Sequence, residues 1–135
     1  MRLLRFLAVA LVLVLSPAIA SADALGDGVA AFLRGDYVTA LGLFQGRADL
    51  GDPVAQANLG YMYAGGYGVP RDLIEAFKWF TLAAEQTSKV DPLFRNRSAI
   101  RQSIERRDSL AAILAPGEVA EGQRLAREWQ PAPGY

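Results

Sequence analysis

The sequence contains no cysteine and no histidine among its 135 residues. Without cysteine, neither a disulfide framework nor a thiolate metal or redox site can form. Without histidine, the commonest general base and transition-metal ligand are gone, and with them every Ser-His or Cys-His couple. Net charge is lacking as well, since 14 basic residues balance 14 acidic ones. Setting aside Arg2 and Arg5, which belong to the segment described next, leaves 12 against 14, a balance of −2. So near-neutral a chain gives no ground for nucleic-acid binding or strong membrane attraction. What the sequence has in plenty is apolar residues, 52% of the total, enough for one domain with a modest core.

Part of that apolar content lies in one N-terminal block. Arg2 and Arg5 precede an unbroken apolar run from Phe6 to Leu15. Ser16-Pro17 breaks the run, and Ala18-Ile19-Ala20 places small residues at cleavage spacing. The pattern predicts a signal peptide over residues 1–20, cut after Ala20 or Ala22, and a mature chain in a bacterial periplasm or secreted. The rival is an uncleaved membrane anchor. Against it, the run falls short of the roughly 20 residues a spanning helix needs.

The remainder has no convincing strand alternation, and helical spacing is widespread. Compared with itself at an offset of 36 residues, the chain pairs Asp36 with Asp72, Ala40 with Ala76, Phe44 with Phe80 and Ala48 with Ala84. Within each unit the Ala, Phe and Ala lie four apart, which makes one stripe on a helix. A period in the thirties marks an array of helix pairs, in which neighbours stack to bury faces that one pair cannot bury alone.

Caps and breakers set the expected boundaries. Helices are predicted over about 24–34, 37–50, 53–64, 72–86, 91–114 and 116–129. Gly35 and Gly51 end the first two, Asp36 and Asp52 cap the second and third, and Pro53 takes a first-turn position. Asp72 with Glu75 reads as a capping box. Residues 65–70 read as a tight glycine turn, Thr87–Val90 as a linker, and 131–135 as a frayed tail.

The segment from Ala55 through Leu59, Gly60, Tyr63, Gly66, Gly68, Val69 and Asp72 to Ala76, Trp79, Ala83 and Ala84 resembles a Sel1-like repeat. That family is a relative of the tetratricopeptide repeats. The likeness covers 53–88. Residues 24–51 resemble a degenerate preceding unit, and 89–130 a C-terminal capping helix pair. The resemblance implies an all-α fold, a short α-solenoid of stacked antiparallel helix pairs. Gly122 and Ala115 depart from the pattern, where a helix former and a Ser or Thr cap are expected, and both weaken the last predicted helix.

No chemistry emerges from the remaining motifs. The glycine turn has no Gly-Lys-Ser/Thr and no preceding strand, so it is not a phosphate loop. Asp36, Asp52, Asp72 and Glu75 are explained as caps, and Asp49 and Glu85 as solvated helix-end residues, so no carboxylate pair calls for catalysis. No catalytic residue, metal ligand or cofactor is expected. Arg95, Arg97, Arg101, Arg106 and Arg107 make the fifth helix basic, with Ile100, Ile104, Ala111 and Leu114 on its apolar side. Tyr61 and Tyr67 fall off the inward stripe set by Leu59 and Tyr63. Exposed tyrosines are common interface anchors, and in stacked pairs the first helices line the concave face. Asn58, Tyr61, Tyr67, Arg97 and Arg101 are therefore the candidate protein-contact residues.

The expectation is an exported adaptor or scaffold of the cell envelope that binds another protein, with self-association as a further option and no nucleic-acid partner. The alternatives are a cell-wall hydrolase, which needs a carboxylate of raised pKa in a closed pocket, and a component tethered by its uncleaved N-terminal segment.

Overall fold

The computed structural model describes residues 24–89 and 97–133, with the side chains of 86–89, 97, 99 and 100 excepted. The predicted signal peptide, the start of the fifth helix at Asp91 and the last two residues lie outside the described residues. Six helices and no strand form the described chain: α1 (Ala24–Leu33), α2 (Tyr37–Asp49), α3 (Pro53–Gly65), α4 (Leu73–Lys89), α5 (Arg97–Ile113) and α6 (Pro116–Glu128). Helices α1 and α2 pack as one pair and α3 and α4 as the next, with α2 against α3, and α5 and α6 each pack on α4. This is a short α-solenoid of the tetratricopeptide-like kind. The predicted linker at Thr87 is instead the last turn of α4, which runs to Lys89. No glycine or proline stands in 73–89 to stop it earlier.

The repeated stripe is the core. Ala40, Phe44 and Ala48 on α2 are buried, as are Ala76, Phe80 and Ala84 on α4. Small and large residues alternate along each stripe, so the neighbouring helix can settle between the rings. The rings sit in glycine seats. A Cβ on Gly60 would stand 2.9 Å from the Phe80 ring, and one on Gly28 would stand 2.7 Å from the Phe44 ring. The same joint therefore occurs in both units. It hides from the 36-residue comparison because Gly28 and Gly60 lie 32 apart. The difference is the turn: residues 34–36 link α1 to α2, whereas 66–72 link α3 to α4.

That longer turn is tied down at several points. Gly66 has φ 72°, a left-handed conformation that favours glycine. The Tyr67 N–H donates to the Met62 carbonyl at 2.9 Å, and the Asp72 N–H to the Tyr63 carbonyl at 3.0 Å. The Asp72 carboxylate accepts from the Ile74 and Glu75 N–H groups, both at 3.0 Å. The expected capping box is only half formed. The Glu75 carboxylate turns to Lys78 at 2.8 Å, because the Asp72 N–H already has its carbonyl.

Four sequence expectations about the C-terminal region are corrected. Gly122 is no weakness: a Cβ there would lie 2.6 Å from the Phe77 ring, so the glycine lets α6 close on α4. At Ala115, the missing side-chain cap is offset by the Glu118 carboxylate, which accepts the Ala115 N–H at 2.8 Å. On α5 the inward face is Ser103 and Leu110, both buried, with Ala111 and Leu114 half-buried beside them. Ile104, expected on the apolar side, is exposed. The tail does not fray from residue 131. Of the two buried clusters, a first around Phe44, Leu59 and Met62 and a second around Ala76, Phe77 and Phe80, Trp129 packs on the first core, and the Ala132 N–H donates to the Asp49 carbonyl at 2.7 Å.

The caps carry a pH dependence. Hydrogen bonding from the Thr39 side chain, and then from the Thr39 N–H, holds the Asp36 carboxyl below the ordinary value of 3.8. Glu121 is lowered likewise by its hydrogen bond from Arg124. A carboxyl whose folded pKa lies below its unfolded one adds stability above the unfolded pKa, and that stability is lost as pH falls through the folded one. The melting temperature should therefore drop between pH 5 and pH 3. Asp36→Asn, which keeps a good cap without the charge, should flatten the slope. Thermal melts across that range check this, and an unchanged slope in the variant would remove Asp36 from the account.

Candidate functional site

The first helix of each pair, α1, α3 and α5, contributes to one face of the solenoid. On α3, residues 54, 57, 58 and 61 fall on one side by helical spacing, while Leu59 and Met62 point into the core. Two hollows open on that side. The first, of about 330 Å³, lies between α1 and α3, with Val29 and Phe32 on one wall and buried Phe44 beneath. The second, of about 170 Å³, lies between α3 and α5, with buried Phe80 beneath and Gln102, Ser103 and Arg106 on the far wall. Asn58 and Tyr61 line both. Phe44 and Phe80 are the repeat-equivalent pair, so each junction between first helices carries one hollow over one core ring.

Tyr61 is held in place by a ring cluster. Tyr67 stacks on it at 5.5 Å between centroids and 14° between planes. Phe32 meets Tyr61 at 5.8 Å and Tyr67 at 5.2 Å, both edge-on. Tyr37 closes the cluster, 5.1 Å from both Phe32 and Tyr67. Such contacts favour one ring orientation. A hydrogen bond with Tyr61 pushes the Tyr67 hydroxyl above its ordinary value of 10.0. Tyr63, half-buried between the two cores, is raised chiefly by burial and then by Glu75 and Asp72. Both phenols stay protonated at neutral pH and keep a donor. The guanidinium of Arg106 lies over the Tyr61 ring, 5.2 Å from its centroid.

The candidate contact residues from the sequence divide three ways. Asn58 and Tyr61 come together on the walls of both hollows. Tyr67 is half-buried behind Tyr61 and orients it. Arg101 is exposed on α5 but lines neither hollow, and the side chain of Arg97 lies outside the described residues. Phe32 and Arg106 were not singled out by the sequence reading. Phe32 stands in the unit taken as degenerate, where only a 32-residue comparison anchored on Gly28 and Gly60 would have aligned α1 with α3. Arg106 was one of five arginines on a basic helix, and nothing in the sequence separates it from the rest.

The charged side chains elsewhere are mostly structural. Arg47 grips Asp52 at 2.8 Å, joining the end of α2 to the start of α3, while Asp52 also accepts the Val54 N–H at 2.9 Å. Asp49 accepts from Gln45 at 2.7 Å. Among the described residues, no group of three or more acidic side chains gathers as a metal site would require, and no helix is long and apolar enough to cross a membrane.

Residues 53–88, which span α3, the glycine turn and nearly all of α4, match the family model of the Sel1 repeat. No curated protein and no solved structure matches the chain. A Sel1 repeat points to a protein–protein interaction module. The chain thus carries a Sel1-like repeat at residues 53–88.

Proposed function

We propose that this chain is an exported adaptor of the cell envelope, which docks a segment of another protein along the α1–α3–α5 face. The observation that carries the reading is the pair of hollows sharing Asn58 and Tyr61. Tyr61 is 39% exposed although it sits in a ring cluster, and Val29 and Val54 beside it are exposed as well. An orientationally fixed, half-exposed tyrosine between two apolar-based hollows is the arrangement of an interface anchor. The role is binding, not catalysis. Export rests on the charged, apolar and small-residue order of residues 1–22.

In-cell crosslinking with wild type and with Asn58→Ala/Tyr61→Ala tests the docking face. The double variant should keep its helical circular dichroism and lose about tenfold or more in affinity for the captured protein. Equal capture by both chains would move the docking site elsewhere. Export predicts a soluble chain whose mass begins at Ser21 or Asp23. A membrane-bound chain that retains Arg2 and Arg5 would instead support the tethered reading.

A further inference from the structure

We infer that the segment taken by this face is acidic: an extended peptide carrying one bulky apolar side chain for the α1–α3 hollow and a carboxylate for Arg106 on the α3–α5 hollow. This rests on the docking face proposed above and assigns its chemistry.

The charge distribution supplies the argument. Helix α3 has no charged residue along its whole length. Of the residues lining the two hollows, Arg106 alone is charged. Among the described residues, the two hollows thus offer a partner one cation and no carboxylate. Other arginines of the fold are consumed internally: Arg47 by Asp52, Arg107 by Asp108, and Arg124 by Glu121 and Glu128. Among the described residues no carboxylate forms an ion pair with Arg106. Its contact is the Tyr61 ring, which engages the flat face of the guanidinium and leaves the in-plane N–H groups free to meet a carboxylate. Tyr61 therefore acts twice, as an apolar wall and as the support that fixes the cation. A guanidinium fixed in this way forms directional, charge-assisted hydrogen bonds at reduced entropic cost.

The two hollows differ in the matching sense. The larger is walled by Val29, Phe32 and Met62 and suits an apolar side chain, while the smaller has Gln102, Ser103 and Arg106 on its α5 wall. A basic partner would bring like charge to Arg106 with nothing on the face to neutralise it. A purely apolar one would leave the Arg106 donors unused.

The test uses three blocked octapeptides, each with one Phe, carrying Glu, Gln or Lys at positions one to three residues beyond it. Binding is followed by amide NMR shifts of Asn58 and Tyr61. The Glu peptides should bind about tenfold more tightly than the Gln peptides, with the Lys peptides weakest. Raising the salt concentration should narrow the gap. Arg106→Gln should erase the Glu–Gln difference, and Arg106→Lys should keep part of it. Equal binding of all three peptides would overturn the acidic assignment and leave the docking face standing. If no peptide moved the Asn58 and Tyr61 signals, the docking face would fall with it.

Discussion

Phe80→Ala should cost about 3–5 kcal/mol and leave the chain largely unfolded at modest temperature. The ring is 2% exposed, sits in the seat made by Gly60, and belongs to the second core with Ala76, Phe77 and Leu110. Its removal opens a cavity between α3 and α4 and takes away the base of the α3–α5 hollow. Small domains hold about 5–15 kcal/mol in total, and a short repeat array lies toward the lower end. The melting temperature should fall by about 15–30 °C. A double-mutant cycle makes the cause specific. Gly60→Ala alone forces the ring aside and should cost about 1–3 kcal/mol. In the Phe80→Ala background the added methyl meets no ring, and that cost should vanish. Equal costs in both backgrounds would show that Gly60 does not exist to seat Phe80. Urea unfolding of the four chains gives the answer.

Gly122→Ala has a predicted sign opposite to the one helix propensity gives. Propensity alone makes the change stabilising by about 1 kcal/mol in a helix interior. The structure puts the new methyl carbon 2.6 Å from the Phe77 ring and 3.4 Å from the Ile74 carbonyl oxygen. Neither neighbour has room to retreat, since Phe77 is buried and the carbonyl is helix backbone. Helix α6 must lift from α4, at a net cost of about 1–3 kcal/mol. Gly46→Ala is the control, because a Cβ there meets nothing within 4 Å and propensity should prevail. Thermal melts should move in opposite directions for the two variants. If both rose, the close approach of α6 to α4 would be refuted.

These glycines show where a sequence can be read and where it cannot. The stripe of Ala40, Phe44 and Ala48 and its copy on α4 were legible because helical spacing and repeat period reinforce one another. The caps were legible because Asp before a helix has a local cause. Gly60 could be read beside its motif, but Gly28 and Gly122 could not. A glycine is costly or required according to what lies across the gap, and that neighbour is distant in sequence. The same holds for the site. Asn58 and Tyr61 share a helix face that spacing reveals. Arg106 is distinguished from its neighbours only by the ring beneath it, a contact between residues 45 positions apart. On α5 the apolar pattern misled, since Ile104 is exposed while Ser103 is buried. Where α5 meets α4 the choice is made by the fit against Phe80 and Phe77, not by hydrophobicity alone.

The return of the tail changes how the molecule should come apart. In an open array each unit answers only to its neighbours, so the end units can melt while the middle persists. Here the Ala132 N–H reaches the Asp49 carbonyl and Trp129 stands 3.8 Å from the Cβ position of Gly51, joining the last helix to the first pair. The chain of contacts becomes a closed circuit. Its closing links span some 80 residues of sequence, which raises contact order and slows the search for the native state. In exchange, the last helix should not loosen without disturbing the end of α2, and unfolding should be more cooperative than in an open array.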